Sequence, residues 1–490
     1  MKKAEVAALE LYWFSQTPWF LLVLNLLLAL TVVFLERRDI GVTWAWLMVL
    51  FFLPIVGFIL YLFFGQNLSR GKRYQFKEQE KILLPGVSAQ RQKLLDGELE
   101  FNDPRTSRYR ELLHMNMVGD FSLYSQDNEV TVYSDGKEKF EALLADIEQA
   151  EKYIHVQYYI WQNDRLGRRM IDALTEKAKQ GVEVRVLYDA WGSKKIGRRF
   201  LRDFREAGGL AAPFFPSRIP FINFKMNYRN HRKLVIIDGG CGYIGGFNVG
   251  DEYLGEVKRF GYWRDTHLRI EGTALIQMHS IFLHDWSLSV RQTMPENLFL
   301  TVERPFTGNV GAQIVSSGPD QSKETIKLSY IKMMDEARET IMIQTPYFIP
   351  DESMMTALKM AILSGVEVHL MIPKVPDHKM VYWASYSYLG ELLDLGVNCY
   401  LYEKGFLHAK TIVVDGRLAS VGTANMDIRS YKLNFEVNAI IYDSVKAGEL
   451  EALFRKDMDD SEVLTLEKYK TRPLLRKALE SFTRLLSPIL

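Results

Sequence analysis

The chain has very little cysteine and almost no net charge. Its 490 residues include two cysteines, and Lys plus Arg (61) nearly balance Asp plus Glu (60). Two cysteines cannot form a disulfide framework, so we expect a reducing compartment and a packing role for Cys241 and Cys399. Without a basic excess the chain has no general attraction to nucleic acid, which disfavours a nuclease. No separate cluster of His, Cys and carboxylates indicates a metal, and we predict neither a metal nor a cofactor.

Long apolar runs are concentrated near the N-terminus. Residues 19–35 carry only two polar side chains, and residues 42–64 form a second, longer run. A helix of about 20 apolar residues crosses a bilayer core of about 30 Å. We therefore predict a transmembrane hairpin over residues 1–65, with helices at about 17–35 and 42–64. The distribution of flanking Lys and Arg places both ends, and the rest of the chain, on the cytoplasmic side of a bacterial cell membrane.

One pattern, His-x-Lys-x4-Asp-x6-Gly-x2-Asn, occurs twice, 177 positions apart. The first copy comprises His231, Lys233, Asp238, Gly245 and Asn248, and the second His408, Lys410, Asp415, Gly422 and Asn425. If each fixed position matches about one time in twenty, all five match at roughly one start in a million. Two copies in one chain are therefore not an accident of composition.

The two motifs belong to a longer internal repeat. The matching segments are 150–157 with 337–344, 181–187 with 365–371, and 282–285 with 454–457. Strands that alternate with helices of ten to fifteen residues indicate α/β units. We predict an α/β fold with two similar lobes, at 119–300 and 305–490, packed with pseudo-two-fold symmetry because neither motif alone completes the chemistry. Residues 66–118 are charged and without clear period, and we predict a linker and cover segment there.

Each motif supplies half of a site for a phosphodiester. A neutral imidazole can attack phosphorus, and a second, protonated imidazole can donate to the leaving oxygen. The two lysines would hold the non-bridging oxygens and the two asparagines would add neutral donors. We expect the motif aspartates to hold the turn at the end of each strand. The other seven histidines, including His155 and His369, are interpreted as structural.

The duplicated motif resembles the HKD signature of the phospholipase D superfamily from about residue 119 onward. Together with the N-terminal hairpin, it makes the chain similar to the bacterial cardiolipin synthases of that superfamily. The resemblance implies one shared site at the lobe interface, with His231 as nucleophile in a phosphatidyl-histidine and His408 as general acid and base. It also implies a carboxylate after each motif that hydrogen-bonds a catalytic histidine. Glu436 matches this position in the second copy, and Asp265 in the first, where a surface ion pair is the alternative.

The predicted function is that of a membrane phosphatidyltransferase that makes cardiolipin and glycerol from two phosphatidylglycerol molecules. A phospholipase D-type hydrolase, or a transferase that uses another alcohol, remains an alternative because water and alcohols compete for the phosphohistidine. A nuclease and a non-catalytic membrane scaffold are further alternatives. The predicted partners are phosphatidylglycerol and anionic membrane lipids, not nucleic acid.

Two further segments are predicted to meet a lipid surface. Residues 214–229 interleave five aromatic with three basic side chains directly before His231, which suits an anionic interface; an aromatic core segment is the alternative. Residues 469–490 are predicted to form a C-terminal amphipathic helix. Its stripe consists of Leu474, Leu475, Leu479, Phe482, Leu485 and Leu486. Such a stripe suits either a leaflet or docking onto the second lobe.

Overall fold

The computed structural model describes residues 23, 25–30, 40–53, 56–57, 59–61, 77–216, 227–292, 306–321 and 323–487. The chain divides into two compact units, residues 1–71 with 217–227 and residues 72–216 with 228–490.

The smaller unit contains helix α1, Ile40–Phe52, and short helical pieces before and after it. Asn25 Nδ2 donates to the Leu50 carbonyl at 3.3 Å, and the rings of Trp46 and Tyr61 meet edge to face at 5.3 Å. In the part of the chain that the structure describes, no helix is both long and apolar enough to cross a membrane. The transmembrane hairpin stays a prediction, because much of its first helix lies outside the described residues.

The larger unit is built on one sheet that runs through both lobes. Its main strands are β1 (Tyr124–Tyr133), β2 (Tyr153–Tyr158), β3 (Glu183–Asp189), β4 (Leu210–Phe214), β5 (Arg229–Asn230), β6 (Leu234–Ile237), β7 (Cys241–Gly245), β9 (His267–Glu271), β10 (Val310–Ser317), β11 (Thr340–Gln344), β13 (Glu367–Pro373), β14 (Asn398–Tyr402), β16 (Thr411–Val414), β17 (Leu418–Gly422), β19 (Asn434–Tyr442) and β20 (Ser461–Leu464). Two small sheets pair β8 (Tyr262–Arg264) with β15 (Gly405–Leu407) and β12 (Phe348–Ile349) with β18 (Met426–Asp427).

The strand order repeats itself outward from the centre of the sheet. One half reads β1-β9-β7-β6-β2-β3-β4, and the other reads β10-β19-β17-β16-β11-β13-β14. The motif strands β6 and β16 therefore occupy the same place in the two halves. The central strands β1 and β10 pair antiparallel, as a two-fold axis between them requires. The prediction of two similar α/β lobes is confirmed, and their pseudo-two-fold axis passes between β1 and β10.

Helices pack on both faces of this sheet. They are α2 (Lys77–Asp96), α3 (Arg110–Asp120), α4 (Gly136–Gln149), α5 (Arg165–Lys179), α6 (Arg202–Glu206), α7 (Ala274–Val290), α8 (Thr325–Asp335), α9 (Glu352–Leu363), α10 (Lys379–Leu393), α11 (Ile428–Lys432), α12 (Ser444–Asp459), α13 (Leu466–Lys470) and α14 (Leu474–Leu485). Strand β6 shows why both faces are covered: Leu234 and Ile236 enter one core, while Val235 and Ile237 enter another. A strand with both faces buried is nearly continuous in apolar residues.

Aspartates start the equivalent helices of the two lobes. Asp164 accepts a hydrogen bond from the Gly167 amide at the start of α5, and Asp351 accepts one from the Met354 amide at the start of α9. Such N-caps satisfy amides that have no partner inside the helix. The repeat in the sequence thus extends to the local signals that begin its helices.

Part of the segment predicted as linker and cover is helical. Helices α2 and α3 contribute Leu83, Val87, Leu112 and Met117 to a core that they share with Met333 of the second lobe. The charged residues between these positions, and Pro85 inside α2, obscure the helical period. The segment is therefore a component of the second lobe's core over these two helices.

Two other sequence predictions bear on packing. Cys241 and Cys399 are free and buried, and burial raises the pKa of each thiol to about 12. At the start of the predicted lipid-facing segment 214–229, the Phe214 ring lies 5.0 Å from that of Phe435 in a buried core. Residues 217–226 lie outside the described residues.

Candidate active site

Two short parallel ladders position the motif histidines. Strand β5 pairs with β19, with Arg229 opposite Asn434 and Asn230 opposite Phe435. Strand β15 pairs with β8 in the same way, ending with Leu407 opposite Arg264. The next residue on each strand is a motif histidine or a carboxylate. Each ladder therefore brings one histidine of one lobe beside one carboxylate of the other.

The two histidine–carboxylate pairs are crossed between the lobes. His231 Nδ1 lies 2.9 Å from Glu436 Oε2, and His408 Nδ1 lies 2.6 Å from Asp265 Oδ2. The backbone amides of the two histidines donate to the Phe435 and Arg264 carbonyls at 2.9 and 2.7 Å. Asp265 is 0% exposed, so the alternative of a surface ion pair for this residue is wrong.

The motif lysines lie against the same histidines. Lys233 Nζ donates to the His231 carbonyl at 2.6 Å, and Lys410 Nζ donates to the His408 carbonyl. Both lysines are buried. An ammonium has three N–H donors, so each retains capacity to hold a phosphate oxygen. Burial lowers the pKa of Lys233 well below its usual value and that of Lys410 to about 8.

Burial also keeps the imidazoles neutral. It lowers the pKa of His231 to about 4, against the opposing effect of Glu436, and the pKa of His408 to about 3, with a further contribution from Lys410. Lys410 lowers the pKa of His231, and Lys233 that of His408, so the two motifs act within one electrostatic field. Burial alone would raise the carboxyl pKa of Asp265, but Lys410 and His408 outweigh it and the pKa is lowered.

The carboxylates also fix the tautomer of each ring. A carboxylate accepts, so the Nδ1 that contacts it carries the hydrogen. In His231 the other nitrogen, Nε2, then bears a lone pair and can act as a nucleophile. His408 can accept or donate a proton through its own Nε2. The arrangement therefore presents two imidazole Nε2 atoms, one from each motif, that can attack phosphorus or transfer a proton.

The motif aspartates bind backbone amides. Asp238 accepts from the amides of residues 151, 152 and 153 at 2.7, 2.8 and 2.7 Å. Asp415 accepts from the amides of residues 338, 339 and 340 at 3.0, 2.8 and 2.9 Å. Both aspartates have left-handed backbones, with φ values of 53° and 50°, which Asp tolerates better than most residues. Each therefore ties the end of a motif strand to the start of the neighbouring strand.

The motif asparagines have different surroundings. Asn248 Oδ1 accepts from the Ile160 amide at 3.0 Å. Asn425 Oδ1 is buried and has no hydrogen-bond partner among the described residues. Contact of either side chain with phosphate stays a prediction.

Aromatic rings that the sequence did not single out flank both imidazoles. The ring centroid of Tyr159 lies 5.0 Å from that of His231, and the centroid of Trp263 lies 5.2 Å from that of His408. Each motif imidazole thus packs against one aromatic ring. Tyr159 follows the repeated segment 150–157 by two residues, and Trp263 precedes Asp265 by two. Closeness in the sequence to these positions is the signal that could have identified the two rings.

Two buried ion pairs support the ladders from behind. Arg232, next to His231, lies 2.6 Å from Asp285, and Arg264, next to Asp265, lies 2.8 Å from Asp457. The side-chain amide of a repeated glutamine donates to each aspartate; the two glutamines are Gln157 and Gln344. The repeat had already matched these glutamines and aspartates, but it gave no sign of their arginine partners. Among the described residues, no group of three His, Cys, Asp or Glu side chains is arranged to bind a metal.

Comparison with known proteins agrees with this geometry. The family model described as "Cardiolipin synthase, PLD-like domain" matches residues 143–286 and 330–458, and that described as "Phospholipase_D-nuclease N-terminal" matches residues 23–66. The major cardiolipin synthase ClsA of Bacillus subtilis (strain 168) is 50% identical over 474 residues, which cover 96% of this chain and 98% of the relative. A cardiolipin synthase of Oceanobacillus iheyensis is 50% identical over 471 residues, with the same shares of each chain.

A solved structure has the same fold at low sequence identity. The crystal structure of phosphatidylserine synthase from Haemophilus influenzae Rd KW20 superposes with a TM-score of 0.60 at 16% identity, covering 79% of this chain and 100% of that one. At this identity the likeness concerns the fold alone. The match to the family model and the full-length relatives carry the assignment: the chain belongs to the phospholipase D-like cardiolipin synthases.

Proposed function

We propose that this chain makes cardiolipin and glycerol from two molecules of phosphatidylglycerol. The observation that carries the proposal is a complete pair of crossed histidine–carboxylate contacts in a chain that is 50% identical to a cardiolipin synthase over 96% of its length. The motif residues supply a nucleophile, an acid–base group and two cations, which is the set that phosphatidyl transfer needs.

In the first half of the reaction, His231 Nε2 attacks the phosphorus of one phosphatidylglycerol. The nitrogen–phosphorus bond forms while the bond to the glycerol oxygen breaks. His408 gives its proton to that oxygen, and glycerol leaves. An anionic phosphodiester beside His408 favours the protonated imidazole, so substrate binding opposes the low pKa that burial gives this residue.

In the second half, the hydroxyl of a second phosphatidylglycerol attacks the phosphohistidine. His408 takes the hydroxyl proton, the nitrogen–phosphorus bond breaks, and cardiolipin leaves with His231 restored. Lys233 and Lys410 neutralise the non-bridging oxygens in both halves. Burial of the site disfavours water as the acceptor, which supports transfer over hydrolysis.

We further propose that the N-terminal region anchors the enzyme as a two-helix hairpin, with the lobes on the cytoplasmic side of the bacterial membrane. Helix α1 is almost wholly apolar. Three of its large side chains are nevertheless exposed on the protein, namely Trp44, Phe51 and Phe52. Large apolar side chains without a protein partner are stable in a lipid environment. The match of residues 23–66 to the N-terminal family model supports a distinct segment here.

The test uses the full chain in phosphatidylglycerol vesicles, with products separated by mass spectrometry. We expect cardiolipin and free glycerol in equal amounts from the unsubstituted chain, and none from His231→Ala or His408→Ala. His114→Ala, on α3, is the matched control and should retain activity. Phosphatidic acid without cardiolipin would instead identify a hydrolase.

The roles of the two histidines are separated by a substrate with a nitrophenolate leaving group in place of glycerol. This leaving group departs without a proton, so His408→Ala should still accumulate a phosphatidyl-histidine and His231→Ala should form none. The reverse result would exchange the two roles.

A further inference from the structure

The C-terminal helix α14 packs against α10 through its charged face. The Arg476 guanidinium lies 4.2 Å from the ring centroid of Tyr386, and that of Arg484 lies 4.5 Å from the centroid of Tyr388. Glu480 is buried and binds Arg476 of the same helix at 3.1 Å, while Arg484 binds Glu391 of α10 at 2.5 Å. Cation–π and ion-pair contacts, rather than apolar packing, therefore hold this helix to the second lobe.

The apolar face of α14 points away from the lobe. Leu474, Leu475, Phe482 and Leu485 are 82%, 74%, 59% and 78% exposed, and they share one side of the helix; we call them the outer stripe. A surface helix of a globular protein normally buries such a stripe. The sequence alternative in which the whole stripe docks onto the second lobe is thus wrong, since four of its six side chains face outward and only Leu479 and Leu486 are partly buried.

Exposed apolar side chains continue beyond the outer stripe on the neighbouring helix. Glu391 of α10 binds both Arg484 of α14, at 2.5 Å, and Lys359 of α9, at 2.6 Å. Met360 and Leu363, one and four residues after Lys359, are also exposed. Glu391 thus joins α9 to α14, and both of these helices carry exposed apolar side chains.

The N-terminal end of α10 lies close to the active site. Helix α10 begins two residues after Asp377, which accepts from the Tyr347 hydroxyl and raises the pKa of Lys410. Val375 and Met380, on either side of Asp377, are exposed. Exposed apolar side chains therefore occur both on the C-terminal helix and around the N-terminal end of α10, close to the catalytic site.

We propose that the outer stripe inserts into the headgroup region of an anionic bilayer and orients the second lobe with its active site toward the lipid. Residues 466–487 contain six basic and two acidic residues, whereas the whole chain has a net charge of +1. Three of the six, Arg472, Arg476 and Arg484, are paired with Glu480 and Glu391. Lys468 and Lys470 stay largely exposed just before the helix, which suits anionic lipid. The inference rests on the proposed function for the identity of the lipid.

The test measures the depth of the helix in the membrane, using the full chain reconstituted into vesicles of phosphatidylglycerol and phosphatidylcholine. A nitroxide is attached to a single introduced cysteine, at Phe482→Cys or Leu485→Cys. The native thiols are buried and their pKa is raised to about 12, so the reagent selects the new cysteine. Val445→Cys on α12, where Val445 is 73% exposed, is the matched control.

We expect the labels at the outer stripe to show a several-fold loss of accessibility to a water-soluble nickel complex, with a gain in collisions with oxygen. The label at position 445 should stay accessible to nickel. Equal nickel accessibility at all three positions would overturn the proposal. Spin–spin broadening between stripe labels would overturn it too, because it would show that a second copy covers the stripe.

A kinetic measurement separates orientation from damage to the site. Leu474→Ser combined with Phe482→Ser should lower cardiolipin formation from vesicles several-fold, while turnover of monomeric short-chain phosphatidylglycerol stays unchanged. Equal loss on both substrates, or loss on neither, would contradict an orienting role. If the unsubstituted chain turns over neither substrate, the proposed function fails, and the nitroxide depths still decide the membrane contact.

Discussion

His231 and His408 occupy matched but unequal surroundings. Each Nδ1 contacts a carboxylate from the opposite lobe, but His231 also lies 3.1 Å from the Thr423 carbonyl, whereas His408 lies beside the Trp263 indole. The partners of His231 are both acceptors, which hold its tautomer firmly. The difference fits a division of labour in which one ring attacks phosphorus and the other moves protons.

Replacing either carboxylate by its amide should slow the enzyme without unfolding it. Glu436→Gln and Asp265→Asn keep the shape of each side chain but remove the charge that orients and stabilises an imidazolium. We expect each substitution to lower kcat by about 10²-fold or more, because general acid–base catalysis by one positioned group typically contributes a rate factor of this size. Rates of cardiolipin formation check this, with Glu403→Gln as a surface control. A loss of less than threefold would show that the carboxylates do not act on the imidazoles.

The turnover number kcat at saturating substrate should decline on both sides of neutral pH. Lys410 has a pKa lowered to about 8 by burial, so it is a cation below that pH and loses its charge above it. His231 has a pKa lowered to about 4, so its attacking lone pair is lost only in acid. In the substrate complex the anionic phosphodiester favours protonated His408, so we expect kcat to decline at high pH as Lys410 loses its charge and in acid as His231 gains a proton. A flat profile up to pH 10 would exclude Lys410 as the titrating cation.

At the scale of elements, the two short parallel ladders set the geometry of the site. Strands β5 and β15 are only two and three residues long, and each ends at the residue before the motif histidine. A short ladder has few hydrogen bonds, so its register depends on close backbone contact. Gly405 provides such a contact, because a Cβ at that position would lie 1.9 Å from the Tyr262 carbonyl oxygen.

Gly405→Ala should therefore separate β15 from β8 and move His408 away from Asp265. We expect a loss of most activity, while thermal unfolding shifts by only a few degrees, since Gly405 is only partly buried and lies in a three-residue strand. Gly448→Ala on α12, where an added Cβ meets nothing within 4 Å, is the control and should leave both measurements unchanged. Full activity in Gly405→Ala would show that the ladder is not needed to position His408.

The sequence predicted the repeated elements better than the contacts between them. Motif spacing and apolar strands indicated two α/β lobes, because these signals are local. The sequence did not indicate which imidazole each carboxylate contacts, since Glu436 lies 205 residues from His231 and Asp265 lies 143 residues from His408. It also missed α2 and α3, whose apolar positions are separated by many charged residues. Pairing across lobes and packing of a charged segment are decided by tertiary structure.

At the scale of the whole molecule, one chain contains both halves of the site. The strand order is symmetric about β1 and β10, and each lobe completes the other's histidine. A mixture of His231→Ala and His408→Ala chains should therefore remain inactive, because no single molecule has both imidazoles. Co-reconstitution of the two variants, assayed for cardiolipin beside the unsubstituted chain, checks this. Recovery of activity would show that lobes exchange between chains.

The crossed pairs also determine when catalysis can begin as the chain is synthesised. Translation releases the first lobe well before the second, and domains generally fold in that order. A chain that ends anywhere before Glu436 carries His231 without its acceptor, and one that ends before His408 lacks the second motif imidazole altogether. A half-made protein can thus fold its first lobe beside the membrane without cleaving the lipids around it. Activity appears only when the last long-range contacts close, so the enzyme is completed before it becomes reactive.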